Sequence, residues 1–202
     1  MLLNRECGGV TKTNIINAAL RLFVTRGYNS VSLIDVAKEV GITKGGIYHY
    51  FSSKDDLLQI GMHYLLERLE SKYAELLSNK YSTREVLAAL LVEKTLEHYA
   101  KDLLGVEGDC RVDCAHFVIE IMGKFPDIQE RMEQGRVTIC EVFAGKIEAA
   151  IEAGELRRGL DSYSLAASIM AMVNGQLALG RSFQSPEMRT RMMESMWQLI
   201  AA

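Results

Sequence analysis

Between residues 43 and 54 the chain reads Thr43-Lys44-Gly45-Gly46-Ile47-Tyr48-His49-Tyr50-Phe51-Ser52-Ser53-Lys54, a dense run of hydrogen-bond donors interleaved with aromatic rings. Lys44 can reach a phosphate or the O6/N7 edge of a guanine, and Tyr48, His49 and Tyr50 add hydroxyl and imidazole groups for phosphates and base edges. Lys54 supplies a second cation. Gly45 and Gly46 strip side-chain bulk from the same stretch, so the backbone itself can come close to a partner. Ser32 and Thr43 stand where helices should begin, and a helix N-terminus offers free amides to an anion. This is the chemistry of polyanion recognition, not of bond breaking. No Ser-His-Asp order, glycine-rich phosphate loop, paired acids on one loop or CxxC motif occurs in the sequence.

The elements that must position these groups are legible from periodicity. Ile15, Ile16, Ala19, Leu22 and Phe23 form one stripe over about Lys12 to Arg26, and Gly27 closes that helix. Ser32-Leu33-Ile34-Asp35 is a capping box and opens a short second helix, about Leu33 to Val40. Gly41 breaks it, and Thr43 caps a third helix of about Lys44 to Tyr50. Ser53-x-x-Asp56 starts a fourth, running without interruption from Lys54 to about Ser78. Two short helices joined by a glycine turn, with a third ahead of them, make a helix-turn-helix.

Beyond it the spacing predicts helices from Ser82-x-x-Glu85 to about Leu104, then Cys110 to Lys124, Pro126 to Ala153, Asp161 to Ser182 and Pro186 to Ala201, with a loop at Gly105 to Asp109. Two prolines in 202 residues leave few helix breakers, and no strand signal competes, so the expected fold is all-α with about nine helices. A chain that is 49% hydrophobic and 24% charged is globular rather than disordered. No apolar run approaches the roughly 20 residues of a membrane span, and Met1 to Glu6 starts no export signal, which leads to an expectation of a cytoplasmic protein with no membrane partner. The net charge is −3, but residues 1–60 carry seven basic and five acidic side chains, so contact with a polyanion must be local.

Cys7, Cys110, Cys114 and Cys140 are too sparse for a disulfide framework and read as free thiols. Cys110-x₃-Cys114-x-His116 has the look of a ligand set, but helical geometry puts Cys110, Cys114 and Phe117 on one face and His116 and Glu120 on another. Packing is the better reading there, and likewise a local hydrogen bond for His98 with Asp102. No metal and no cofactor is expected.

Residues 11–60 resemble the TetR family of bacterial transcriptional repressors in one register. The matching text is Ile15 to Phe23, Gly27-Tyr28, Ser32 to Ala37, Gly41 to Phe51 and Lys54-Asp55-Asp56-Leu57-Leu58. The resemblance implies a helix-turn-helix DNA-binding domain over residues 9–69, with its core at about 32–51, and a larger helical effector-binding and dimerisation domain over 70–202. It also implies that Lys44, Gly45, Tyr48, His49, Tyr50 and Lys54 match positions that contact DNA, with Ser32 and Thr43 at the helix starts. Gly46 departs from it, since many members carry a side chain there that can touch bases. The implied partners are double-stranded DNA bearing an inverted-repeat operator, a second copy of the chain, and a small-molecule effector.

Two further surfaces can be read from spacing. Ala167, Ala171 and Gly175 recur at i, i+4 and i+8 and permit close helix approach, while Met192 and Trp197 belong to an apolar last helix, so these five are expected at a homodimer interface. Met62, Leu66, Leu91, Thr95, Phe117, Phe143 and Asn174 are expected to line an apolar effector pocket among the middle helices. A helical homodimeric interaction protein without sequence-specific DNA binding is the alternative.

Overall fold

The computed structural model describes residues 3–106, 111–176 and 185–202, with side chains described from residue 12 and, in the seventh helix, from residue 117. Ten α-helices occur among the described residues: α1 Leu3–Arg26, α2 Leu33–Val40, α3 Lys44–Tyr50, α4 Lys54–Leu76, α5 Thr83–Leu87, α6 Thr95–Leu104, α7 Arg111–Lys124, α8 Pro126–Glu152, α9 Ser162–Gly175 and α10 Pro186–Ile200. The fold is all-α, as the sequence predicts. No helix among the described residues is long and apolar enough to cross a membrane.

The contacts divide the chain into two compact units, residues 1–67 with 99–131 and residues 68–98 with 132–202. Within the first unit α7 packs against α1. In that unit Ile15, Phe23, Val36, Ile47 and Leu58 are fully enclosed. Gly61 lets α4 lie close to α1: a Cβ there would stand 3.3 Å from the Leu20 side chain. α1 starts nine residues before the expected Lys12, at Leu3. Nothing between Leu3 and Lys12 is a proline, and once a helix exists each added residue gains a hydrogen bond, so it extends through Gly8 and Gly9.

The second unit departs from the sequence reading in one place. A single helix is expected from Ser82 to Leu104, but α5 ends at Leu87 and passes into a π-helical turn, Ala88–Val92, and the chain then breaks before α6. The Glu93 amide donates to the Ala88 carbonyl at 3.0 Å, a bond one residue longer than in an α-helix. Lys94 follows with φ at 53°, the only positive value outside glycine among the described residues. The carbonyls at the break accept from side chains remote in sequence. Gln176 Nε2 donates to Leu91 O at 3.1 Å, and Arg189 Nε donates to Val92 O at 2.9 Å. No glycine or proline marks Leu87 to Thr95, so tertiary partners outweigh local helix preference there.

The rest of this unit closes on Phe143, Ile147, Leu87, Leu91 and Ile169, all fully enclosed. Lys146 Nζ donates to the carbonyls of Ser78 and Tyr81, at 3.1 and 2.6 Å, and so ties down the turn that follows α4. Glu155 accepts from the Thr83 hydroxyl at 3.0 Å and the Arg84 amide at 3.3 Å. Leu156 and Ala201 form an isolated antiparallel bridge that ties the chain end to the turn after α8. The expected extension of α9 to Ser182, the loop residues to Asp109 beyond Val106, and the side chains of Cys7, Cys110, Cys114 and His116 lie outside the described residues. Cys140 is a buried free thiol.

Phe143→Ala should remove the centre of the second core and cost about 3–5 kcal/mol, read as a lower midpoint in denaturant unfolding followed by circular dichroism.

Candidate nucleic-acid interface

α3 has seven residues and two glycines, so its ends need support from outside its own hydrogen bonds. At its start, Thr43 Oγ1 accepts from the Gly46 amide at 3.1 Å. A Cβ on Gly46 would stand 3.3 Å from that same oxygen, whereas one on Gly45 would meet nothing nearer than 4.0 Å. Gly46 thus keeps the cap uncrowded, and Gly45 leaves bare backbone on an open face. Ahead of it Gly41 ends α2 in the left-handed conformation, φ 76°, donating its amide to Ala37 O and Lys38 O. A side chain is strained in that conformation, which is why the turn takes glycine.

α2 is capped by the box expected from Ser32-x-x-Asp35. Ser32 Oγ accepts from the Asp35 amide at 3.2 Å, and the Asp35 carboxylate accepts from the Ser32 amide at 2.9 Å and its hydroxyl at 2.6 Å. These hydrogen bonds hold the Asp35 carboxyl below the usual carboxylate range. Arg21 on α1 pairs with Glu39 on α2 at 2.6 Å.

The structure places Thr43, Lys44, Gly45, Tyr48 and His49 at exposed positions, Tyr48 being 48% exposed, while Ile47 and Phe51 are anchored in the core. Tyr50 is half-buried, with the His49 ring edge-on at 5.4 Å between centroids. Ser32 is exposed. Lys54 is placed otherwise: its Nζ donates to Tyr28 O at 2.9 Å and lies 4.2 Å over the Tyr28 ring, a half-buried cation on an aromatic face. Burial, then the charge of Lys124, lowers its pKa.

Tyr28 itself is a residue that sequence reasoning leaves as part of a turn. Its ring is enclosed, with Phe23 and Phe125 edge-on at 5.2 and 5.5 Å, and Lys124 Nζ lies 4.7 Å from its centroid. Its hydroxyl donates to Asp55, and burial together with that carboxylate pushes the phenol pKa up. Glu120 accepts from the Tyr28 amide at 3.4 Å and from Asn29 Nδ2 at 2.5 Å. Only the aromatic following Gly27 hints at this corner; no local pattern could pair it with a carboxylate more than ninety residues away.

The other expected sites divide between the units. Met62, Leu66 and Phe117 fall in the first, and Leu91, Thr95, Phe143 and Asn174 in the second. Met62, Phe117, Leu91 and Phe143 are closed core, Leu66 and Thr95 are half-buried, and Asn174 is exposed with its amide donating to Met170 O at 2.9 Å. Ala171 and Gly175 are exposed on α9, while Ala167 is half-buried against the core. Met192 is half-buried, and Trp197 packs on the core with the Arg84 guanidinium 5.3 Å from its ring. Among the described residues no group of three His, Cys, Asp or Glu side chains could hold a metal ion.

A short helix, capped, fixed on one side and exposing cation, bare backbone and aromatic donors on the other, is a nucleic-acid reading head. The family described as bacterial regulatory proteins, tetR family, matches residues 15–59, and the tetracyclin repressor-like C-terminal domain matches residues 104–196. The repressor KstR2 of Rhodococcus jostii is 25% identical over 74% of this chain and 70% of its own length. The regulator UidR of Escherichia coli K12 is 25% identical over 83% and 80%. A putative transcriptional regulator from Saccharomonospora viridis, solved in complex with choline, superposes with a TM-score of 0.76 at 22% identity, covering 96% of this chain and 99% of that one. The chain belongs to the TetR family and is a DNA-binding transcriptional regulator rather than an enzyme.

Ser32→Ala should let the Asp35 carboxyl titrate nearer the ordinary aspartate range, measurable by NMR of the side-chain carboxyl. A depressed carboxyl stabilises the fold above its unfolded pKa and loses that contribution as pH falls through the folded one, so the variant should show a shallower loss of stability on the acid limb.

Proposed function

We propose that the protein is a repressor that binds an inverted-repeat operator in double-stranded DNA as a homodimer and is released by a small apolar or amphipathic effector. In this reading residues 9–69 form the DNA-binding domain and 70–202 the domain for effector and partner. The observation that carries it is the α3 face: Lys44, Gly45, Tyr48 and His49 are exposed together on a helix whose reverse side, Ile47, is locked in the core. Lys44 and His49 are assigned to base edges and phosphates, Gly45 to close backbone approach, Tyr48 and Tyr50 to phosphates, and Ser32 and Thr43 to phosphate contact at helix starts. Lys54 is assigned to holding Tyr28, on the hydrogen bond and ring contact it makes.

Self-association is assigned to α9 and α10. Ala171 and Gly175 offer a flat exposed stripe, with open space where a Gly175 Cβ would be, and Leu199 is 64% exposed near Met192 and Trp197 in the chain. Two-fold symmetry presents two reading helices about 34 Å apart, or a multiple of it, which is why the operator must be an inverted repeat. Selection of bound duplexes from a random library should return such a repeat. Lys44→Ala should then weaken binding and flatten the fall of log K with log salt by about 2 per dimer, whereas Lys54→Ala should lower thermal stability and leave the slope alone. No enriched sequence, or a Lys44→Ala protein with unchanged affinity and slope, would overturn the reading.

The effector reading draws support from two relatives. One was solved with choline, and another is described as the ketosteroid transcriptional regulator KstR2 of Mycobacterium tuberculosis. Leu91 and Phe143 are the candidate contacts within the second unit; as closed core they must move to admit a ligand. A hundredfold drop in operator affinity needs about 2.7 kcal/mol of preference for the non-binding state, and linkage makes operator weaken effector binding equally. Apolar and amphipathic small molecules that raise the melting temperature should bind about a hundredfold more weakly with operator present. Equal binding with and without operator would show that they are not inducers.

A further inference from the structure

The corner between α1 and α2 carries little to hold it in place locally. Gly27 turns it with φ at 82°, and its internal turn bonds are long: Ser30 N to Gly27 O at 3.3 Å and Val31 N to Tyr28 O at 3.4 Å. Two other elements grip it instead. From α4, Lys54 Nζ takes the Tyr28 carbonyl and Asp55 takes the Tyr28 hydroxyl, so both bonds act on Tyr28. From α7, Glu120 spreads its two carboxylate oxygens over successive residues, Oε2 on the Tyr28 amide and Oε1 on Asn29 Nδ2. Lys124, one turn further along α7, lies over the Tyr28 ring, and Phe125 meets that ring edge-on. The four charges at the corner, Lys54, Asp55, Glu120 and Lys124, sum to zero, so the cluster is no electrostatic landing site of its own.

Asn29 is three residues ahead of Ser32, the residue that caps α2. That span reaches at most about 10 Å, so any drift of Asn29 passes to the cap and the start of α2. We propose that Glu120 is a positioning residue for operator binding: from α7, outside the helix-turn-helix, its carboxylate holds the Tyr28–Asn29 corner and thereby fixes where Ser32 and the α2 N-terminus stand. The inference rests on the operator-binding reading above. Glu120, an anion, makes no phosphate contact itself. Its loss removes no DNA-touching group but makes binding order a corner that is otherwise ordered beforehand.

The test uses the full chain and the operator selected for the wild type, with Lys44→Ala as the control that loses a phosphate or base contact. Glu120→Ala should bind the operator about tenfold more weakly, with the slope of log K against log salt unchanged. Glu120→Gln, which keeps one acceptor oxygen, should recover part of the loss. Asn29→Ala removes the donor from the other side and leaves α7 untouched, so it serves if Glu120→Ala folds poorly. It should weaken operator binding by a similar or smaller factor, and the double variant should be no worse than Glu120→Ala alone. Operator affinity equal to wild type in Glu120→Ala and Asn29→Ala, losses that simply multiply, or a flattened salt slope would each overturn the proposal. A wild-type protein that selects no operator at all would instead sink the operator-binding reading, which keeps the two failures apart.

Discussion

A seven-residue helix containing two glycines does not hold together in water on its own. Helix nucleation is unfavourable, isolated helices under about a dozen residues are marginal, and each glycine costs roughly a further 1 kcal/mol relative to alanine. α3 therefore exists because its surroundings impose it, and the first unit is organised around that need. Thr43 supplies the missing acceptor at one end, Ile47 and Phe51 sink into a core furnished by α1 and α2, and Gly41 sets the turn that feeds it. The same poverty of local structure is what function asks for. With no bulk at Gly45 and a cap rather than a long helix behind it, the backbone of the first turn is open to a phosphate or a groove edge.

A reading helix held from outside is only as well placed as the elements that hold it. The Tyr28 corner, just ahead of α2, joins three helices, with α1 running into the ring, α4 gripping it through Lys54 and Asp55, α7 through Glu120 and Lys124, and Phe125 just beyond α7 meeting the ring edge-on. An enclosed tyrosine is suited to this because it offers an apolar body, a face for cations and a hydroxyl for a carboxylate on one rigid ring. Lys54 shows the consequence for charge: a cation at the first position of α4 becomes a clamp on a carbonyl, and burial beside Lys124 lowers its pKa.

The second unit solves a different problem. The chain from Ser82 to Leu104 has the composition of one helix, yet the π-helical turn at Ala88–Val92 and the positive φ of Lys94 bend it out of line. Leu91 O and Val92 O find Gln176 and Arg189 there, and Leu87, Leu90 and Leu91 are all buried in the same core as Phe143 and Ile169. Burying those three leucines in one core, with side-chain donors ready for the carbonyls the break frees, outweighs the lost helical register.

What the sequence by itself determined were the features set by neighbours within a few residues. Ser32-x-x-Asp35, Gly41 and Thr43 place α2 and α3 to the residue, and Pro186 behind Ser185 starts α10. Caps, turns and helical stripes are local physics, so a local pattern encodes them. What only the tertiary structure decided were contacts whose partners lie far along the chain. The break at Lys94 depends on Gln176 and Arg189, the orientation of Lys54 depends on Tyr28, and the hold on Asn29 depends on a glutamate on α7. None of these has a signature in sequence spacing, because a hydrogen bond between distant residues is specified by where the whole chain folds and not by the residues beside it.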